Sequence, residues 1–237
     1  MFIAAAVLIV VLLIIGYLNR PPPAPKHQQE LPPVPSAAVP PRELHVPHVQ
    51  GALKIDGELD EPSWRSSARA VFEKQDGSEA RPYSDARFMW GEGVLHVGLY
   101  AADHDIVSAH VPADGPVWQG DAFHVIFSSR ELQHSFDIGP TGTLTDGERH
   151  GSGPWSYAWQ SGAKLACDAD GTIDKPGDND EEWVAEMDVP LSSLGLEGKG
   201  GERIGVIARR CDVKEVGKPS LESPCPQTPA LDLVLAP

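Results

Sequence analysis

Hydrophobic and polar residues alternate along this chain in short runs, and turn residues interrupt the runs at frequent intervals. Ala86-Arg87-Phe88-Met89-Trp90 alternates up to Gly91, and Val94 to Tyr100 follows the turn Gly91-Glu92-Gly93. The two runs predict a β-hairpin. Ala122 to Phe127 predicts a strand with Phe123, Val125 and Phe127 on one face, and Ser135 to Ile138 is a candidate partner for it. Lys164 to Ala166, Trp183 to Val189 and Arg203 to Arg209 continue the series, and Leu231 to Leu235 would close a sheet. The helix signal in this part of the chain is Pro190 to Gly195, one short turn ended by Gly. The pattern predicts an all-β domain, an antiparallel two-sheet β-sandwich of jelly-roll-like type, without internal repeats.

The start of the chain breaks this pattern twice. Phe2 to Leu18 is an uncharged, almost wholly apolar run at the lower edge of a transmembrane helix. No Lys or Arg precedes it and no cleavage motif closely follows, so residues 1–20 read as an uncleaved membrane anchor rather than a removed signal. Residues 21–47 carry Pro-Pro-Pro, Leu-Pro-Pro-Val-Pro and Val-Pro-Pro, which exclude helix and central strand and predict an extended polyproline linker. The globular domain is expected over 48–237. Arg20 and Lys26 by themselves place it on the cytoplasmic side. The Pro-rich spacer and the kind of domain it carries favour the extracytoplasmic side, periplasmic or at the cell surface.

Charge narrows the partners. With 34 acidic against 19 basic residues the chain carries −15, which repels nucleic acid but is compatible with solubility alone, with Ca²⁺ or with neutral sugars. The three cysteines lack the spacing of a zinc site. Cys211 and Cys225 bracket a loop rich in Pro, Ser and Gly and are the favoured disulfide pair; three buried thiols are the alternative.

Three segments stand out in order: Ile55-Asp56-Gly57-Glu58-Leu59-Asp60-Glu61-Pro62-Ser63-Trp64, then Val117 to Phe127, then Glu182 to Pro190. The first is turn chemistry followed by an aromatic expected to pin the chain onto a core. Together they resemble the "DG-x-L-D-E/D-x-x-W", "W-x-x-D-x-x-E-[IV]-F" and "G-[WY]-x-[VA]-E-x-x-[IV]-P" stretches of the family 9 carbohydrate-binding modules and their DOMON-related sandwich relatives. The likeness spans about Val49 to Leu235. It implies a slot in which two Trp faces stack a sugar ring and rim side chains hold its hydroxyls. Trp118 matches the first stacking Trp. The family's sugar-binding Glu falls at His124 and its Arg at Asp137, both departures. The loop expected to carry the second Trp, Ser220 to Pro229, contains no aromatic.

Trp155, Tyr157 and Trp159 alternate and would share one face if extended, as a second aromatic platform, a core strand or a lid. Trp64, Trp90 and Trp183 are expected in strands or at their ends, inside the core. Asp103, Asp105 and Asp121 offer hard oxygen ligands on strand-end loops, and the resemblance adds a precedent for structural Ca²⁺. A second acidic run, Asp168, Asp170, Asp174, Asp178 and Asp180, lacks EF-hand spacing; solvated loop acids are the alternative for both sets. Glu182 and Glu186 flank Trp183 with the alternation of a solvent-facing strand edge, and no catalytic constellation can be placed. The expectation is a membrane-tethered, non-catalytic module for polysaccharide or another glycan, of the kind that accompanies glycoside hydrolysis. Two alternatives stand beside it. One is a haem-binding redox module, with Met89 or Met187 opposite His96 or His124 as axial ligands. The other is a structural or protein-interaction domain that has lost sugar binding.

Overall fold

The computed structural model describes residues 42–237. The expected anchor, and the linker as far as residue 41, lie outside the described residues. Eleven strands follow in chain order: β1 (Arg42–Val46), β2 (Ala68–Val71), β3 (Ser84–Gly91), β4 (Val94–Ala102), β5 (Ala122–Ser129), β6 (Leu132–Ile138), β7 (Leu144–His150), β8 (Lys164–Asp170), β9 (Glu182–Pro190), β10 (Arg203–Cys211) and β11 (Leu231–Leu235). They form a six-stranded sheet, β1-β11-β10-β5-β6-β7, and a five-stranded sheet, β2-β3-β4-β9-β8. The sheets pack face to face, and every pairing is antiparallel except that of β1 with β11. Short 3-10 turns, Pro62–Ser66, Val117–Gln119 and Leu191–Leu194, are the helical elements described. Among the described residues no helix is long and apolar enough to cross a membrane.

The core follows from strand parity. Phe123, Val125 and Phe127 of β5 meet Phe136 and Ile138 of β6 on the inner face, and Leu95, Val97, Leu99 and Trp183 come from the opposing sheet. Phe123 and Trp183 touch across the sandwich, ring centroids 4.6 Å apart. Each such side chain contributes about 1.5–3 kcal/mol by leaving water. Trp90 closes one end, its Nε1 donating to the Ala236 carbonyl at 3.0 Å.

Three elements differ from the sequence reading. The expected linker ran to residue 47, yet Arg42–Val46 is an edge strand, paired in parallel with β11. Its flanking prolines mask the Leu44/Val46 alternation, but Pro beside an edge strand leaves the ladder intact. β7 reads Leu-Thr-Asp-Gly-Glu-Arg-His, poor strand sequence, and forms because β6 offers it a full edge. Trp64 is buried, but it lies in the 3-10 turn Pro62–Ser66 on the outer face of the five-stranded sheet, not in a strand of the inter-sheet core.

Candidate functional site

Parity that sends Phe123, Val125 and Phe127 inward sends His124 and Ile126 to the outer face of the six-stranded sheet. Register then lines up four outward residues from neighbouring strands: Arg209 of β10 opposite His124 of β5, His124 opposite Asp137 of β6, and Asp137 opposite Thr145 of β7. His124 Nδ1 lies 2.7 Å from Asp137 Oδ1. A carboxylate only accepts, so Nδ1 carries the proton and Nε2 faces away as the free ring nitrogen. Thr145 donates to the Gly115 carbonyl at 2.5 Å, which ties the loop before the Val117–Gln119 turn to β7. The next row along the sheet holds Ile207, Ile126, Ser135 and Gly147. Ser135 Oγ is buried there and has no hydrogen-bond partner among the described residues.

An aromatic wall stands over one side of this floor. Ser156 exchanges backbone hydrogen bonds with Glu148 on the open edge of β7 and so holds the following residues against the sheet. Tyr157 lies directly over Gly147: a Cβ there would sit 3.0 Å from the phenol ring, tighter than ordinary van der Waals contact, so the absence of a side chain lets the ring approach this closely. Trp118, half-buried in its 3-10 turn, stands 6.5 Å from Tyr157 between ring centroids with a 32° tilt. Trp155 covers the next part of the face, with the Arg149 guanidinium 4.6 Å above its ring. The three aromatics of 155–159 do not share a face. A turn at Tyr157–Ala158 ends the alternation, and Trp159 packs on the inner side against His134, 4.6 Å away, and Phe136.

Arg209 completes the floor. It is only 6% exposed. Its Nε donates to Gln227 Oε1 at 2.7 Å, and no carboxylate among the described residues lies within ion-pairing distance. Burial pulls its guanidinium below its ordinary pKa. Arg209, Arg149 and Ser135 were not singled out by sequence reasoning. The alternation of β10 carried half of the signal, but only register shows that Arg209 shares a row with His124.

Of the three acidic residues considered for Ca²⁺, Asp103 and Asp121 have protein partners for their carboxylates. Asp103 Oδ2 accepts from Arg210 at 2.7 Å in a buried ion pair, and its Oδ1 caps the Asp105 amide. Asp121 accepts from the Val107 and Val213 amides, one on each oxygen, both at 2.7 Å. Burial, with the nearby Asp103 carboxylate, pushes Asp121 up to about 8. Among the described residues no three His, Cys, Asp or Glu side chains are placed to hold a metal. Each carboxylate oxygen of Asp103 and Asp121 thus already accepts from a protein donor, and the three acids do not converge on one point as a calcium shell requires. In the second acidic run, Asp180 and Asp174 bind the amides of Ile106, Thr172 and Ser108, staples between two loops.

Of the haem candidates, Met89 and His96 are cross-strand neighbours and the others lie apart. Met187 points into the inter-sheet core. Met89 faces the outer side of the five-stranded sheet beside His96, and His96 Nδ1 meets Asp188 Oδ1 at 2.6 Å. His124 belongs to the other sheet. Glu186 is not solvent-facing: it lies under the Asp56–Trp64 segment and is fully buried. Cys211 and Cys225 are joined by a disulfide, which closes the loop flanking the Arg209 end of the row. Cys167 is a free thiol at the edge of a shallow groove of about 560 Å³ with Pro140, Thr141 and Ile173, which offers no aromatic face.

No protein-family model matches the chain, and no curated protein does. Solved structures do. A candidate carbohydrate-binding protein from Bacteroides uniformis superposes with a TM-score of 0.53 at 16% identity, covering 81% of this chain and 90% of its own. A family 9 carbohydrate-binding module from Caldicellulosiruptor kristjanssonii, solved with cellotriose, gives 0.52 at 12% identity over 82% of this chain and 94% of its own. The corresponding glucose complex gives 0.53 at 11%, over 81% and 95%. At these identities the likeness establishes the fold: the domain is a β-sandwich of the family 9 carbohydrate-binding-module type.

Proposed function

We propose that this domain is a non-catalytic glycan-binding module whose recognition surface is the outer face of its six-stranded sheet. One observation carries the reading: Trp118 and Tyr157 form an aromatic wall beside a row of polar side chains, Arg209, His124 and Asp137, on a rigid sheet. Sugar C–H faces stack on electron-rich rings, and hydroxyls need donors and acceptors at fixed positions. The row supplies both kinds, and Ser135 Oγ adds a buried hydroxyl that no described residue satisfies. The fold neighbours solved with cellotriose and glucose support the reading by analogy.

The domain works outside the cytoplasm, held by the N-terminal anchor on its Pro-rich spacer. The Cys211–Cys225 disulfide supports an oxidising compartment. Calorimetric titration of residues 42–237 with a panel of soluble oligosaccharides tests the function. Binding that is lost in Trp118→Ala supports it; a folded protein that binds no glycan overturns it.

A further inference from the structure

The outer face of the six-stranded sheet carries two guanidinium groups held in the same way. Arg209 Nε donates to Gln227 Oε1 at 2.7 Å, and Arg149 Nε donates to Gln133 Oε1 at 2.5 Å. In both cases the fixing acceptor is a neutral amide, so the guanidinium is oriented without being neutralised. Elsewhere on this face Arg203 pairs with Glu43 and Asp232, and Asp137 accepts a hydrogen bond from His124. Arg209 and Arg149 have no carboxylate within ion-pairing distance among the described residues, although the chain carries an excess of 15 negative charges. A buried cation without a counter-ion is unfavourable, and in Arg209 only the Nε has a protein acceptor among the described residues. Its terminal nitrogens form a planar fork that matches a carboxylate in bidentate geometry.

We infer that the glycan recognised by this face is acidic: a uronic-acid-containing oligosaccharide whose carboxylates pair with the free forks of Arg209 and Arg149 while a sugar ring stacks on Trp118 and Tyr157. The inference rests on the glycan-binding reading and specifies its ligand class. Arg209 and Arg149 lie three strand spacings apart across the sheet, about 14 Å, and four residues apart along it, about 13 Å. That separation calls for an oligomer rather than a monosaccharide. The net negative charge does not forbid it. Exposed charges beyond about 10 Å are screened at 0.1 M salt, whereas Arg209 acts at contact in a desolvated site. The same balance disfavours a long polyanion and favours a short oligomer.

Calorimetry with a tetrameric oligogalacturonate, its methyl ester, a neutral cello-oligosaccharide of equal length and a sulfated oligosaccharide decides the matter. The free acid is expected to bind at least tenfold more tightly than its methyl ester. That preference should disappear in R209Q and shrink in R149Q. Arg209→Lys keeps the charge without the fork and should retain only part of it, and thermal melting of each variant reports whether it is folded. Should R209Q fail to fold, R149Q and Arg209→Lys carry the comparison. Equal affinity for acid and ester, or tighter binding of the sulfated sugar, overturns the uronate assignment. Trp118-dependent binding of the neutral sugar alone would do the same and leave the glycan-binding reading standing. No binding to any sugar removes both.

Discussion

Trp64 Nε1 donates to Glu186 Oε1 at 2.8 Å, from a 3-10 turn to a strand 122 residues away. The other carboxylate oxygen, Oε2, accepts from the backbone amides of Asp56 and Gly57 at 3.0 and 3.1 Å. One buried side chain of β9 therefore organises the whole Asp-Gly to Trp segment. It explains why that segment carries both a turn and an indole: the turn aims two amides at the acid, and the indole supplies the third donor. Gly98 of β4, next to Glu186 in the ladder, leaves the space into which Leu59 and the Trp64 ring fit.

The acid makes stability pH-dependent. Burial raises Glu186 to about 7 from an ordinary 4.5, with the three N–H donors acting against the rise. The folded state therefore holds this proton more tightly than the unfolded state does. The contribution is complete below pH 4.5 and declines as pH rises through about 7. Urea unfolding at stepped pH should show this decline in the native protein, and Glu186→Gln should flatten it. An unchanged slope in the variant would place the titration elsewhere.

Filling the space at Gly98 should loosen the same segment. An added Cβ would sit 2.7 Å from Leu59 Cδ2 and 3.2 Å from the Trp64 ring. Gly98→Val is expected to destabilise the domain by roughly 1–3 kcal/mol, read as a lower denaturation midpoint. Sugar binding should persist, because the other sheet carries the proposed site.

The Cys211–Cys225 disulfide closes a loop of 14 residues in sequence separation. Its reduction should lower stability by about 3 kcal/mol on chain-entropy grounds. Because that loop flanks Arg209, glycan affinity should fall as well. Melting curves and titrations with and without reductant measure both effects.

Addition or chelation of Ca²⁺ should leave the melting temperature unchanged, since Arg210 and two backbone amides already occupy the oxygens of Asp103 and Asp121. Asp103→Asn, by contrast, leaves Arg210 with only the longer 3.2 Å contact to Asp212 and should cost about 3 kcal/mol or more.

Within the proposed site the aromatic residues should not be equivalent. Tyr157→Ala and Trp118→Ala are expected to weaken binding by roughly 2 kcal/mol with little change in melting temperature. Trp159→Ala should do the reverse, because its ring packs on Phe136 in the core.

The alternation in β3, β4, β5, β9 and β10, with turn residues between them, made the all-β class and most strands legible in the sequence. Period-two alternation needs only neighbouring residues to be read. It also puts Phe123 and His124 on opposite faces whichever strands lie beside them. Strands lacking that signal, Arg42–Val46 among prolines and Leu144–His150 with its Gly and charges, exist because a partner edge accepted them. What joined Arg209, His124, Asp137 and Ser135 into one surface, placed Tyr157 over Gly147 and buried Glu186 beneath Trp64 was register between strands distant in the chain. Register is a property of pairs. It is set by which inner faces pack against each other, and no single run of residues contains it.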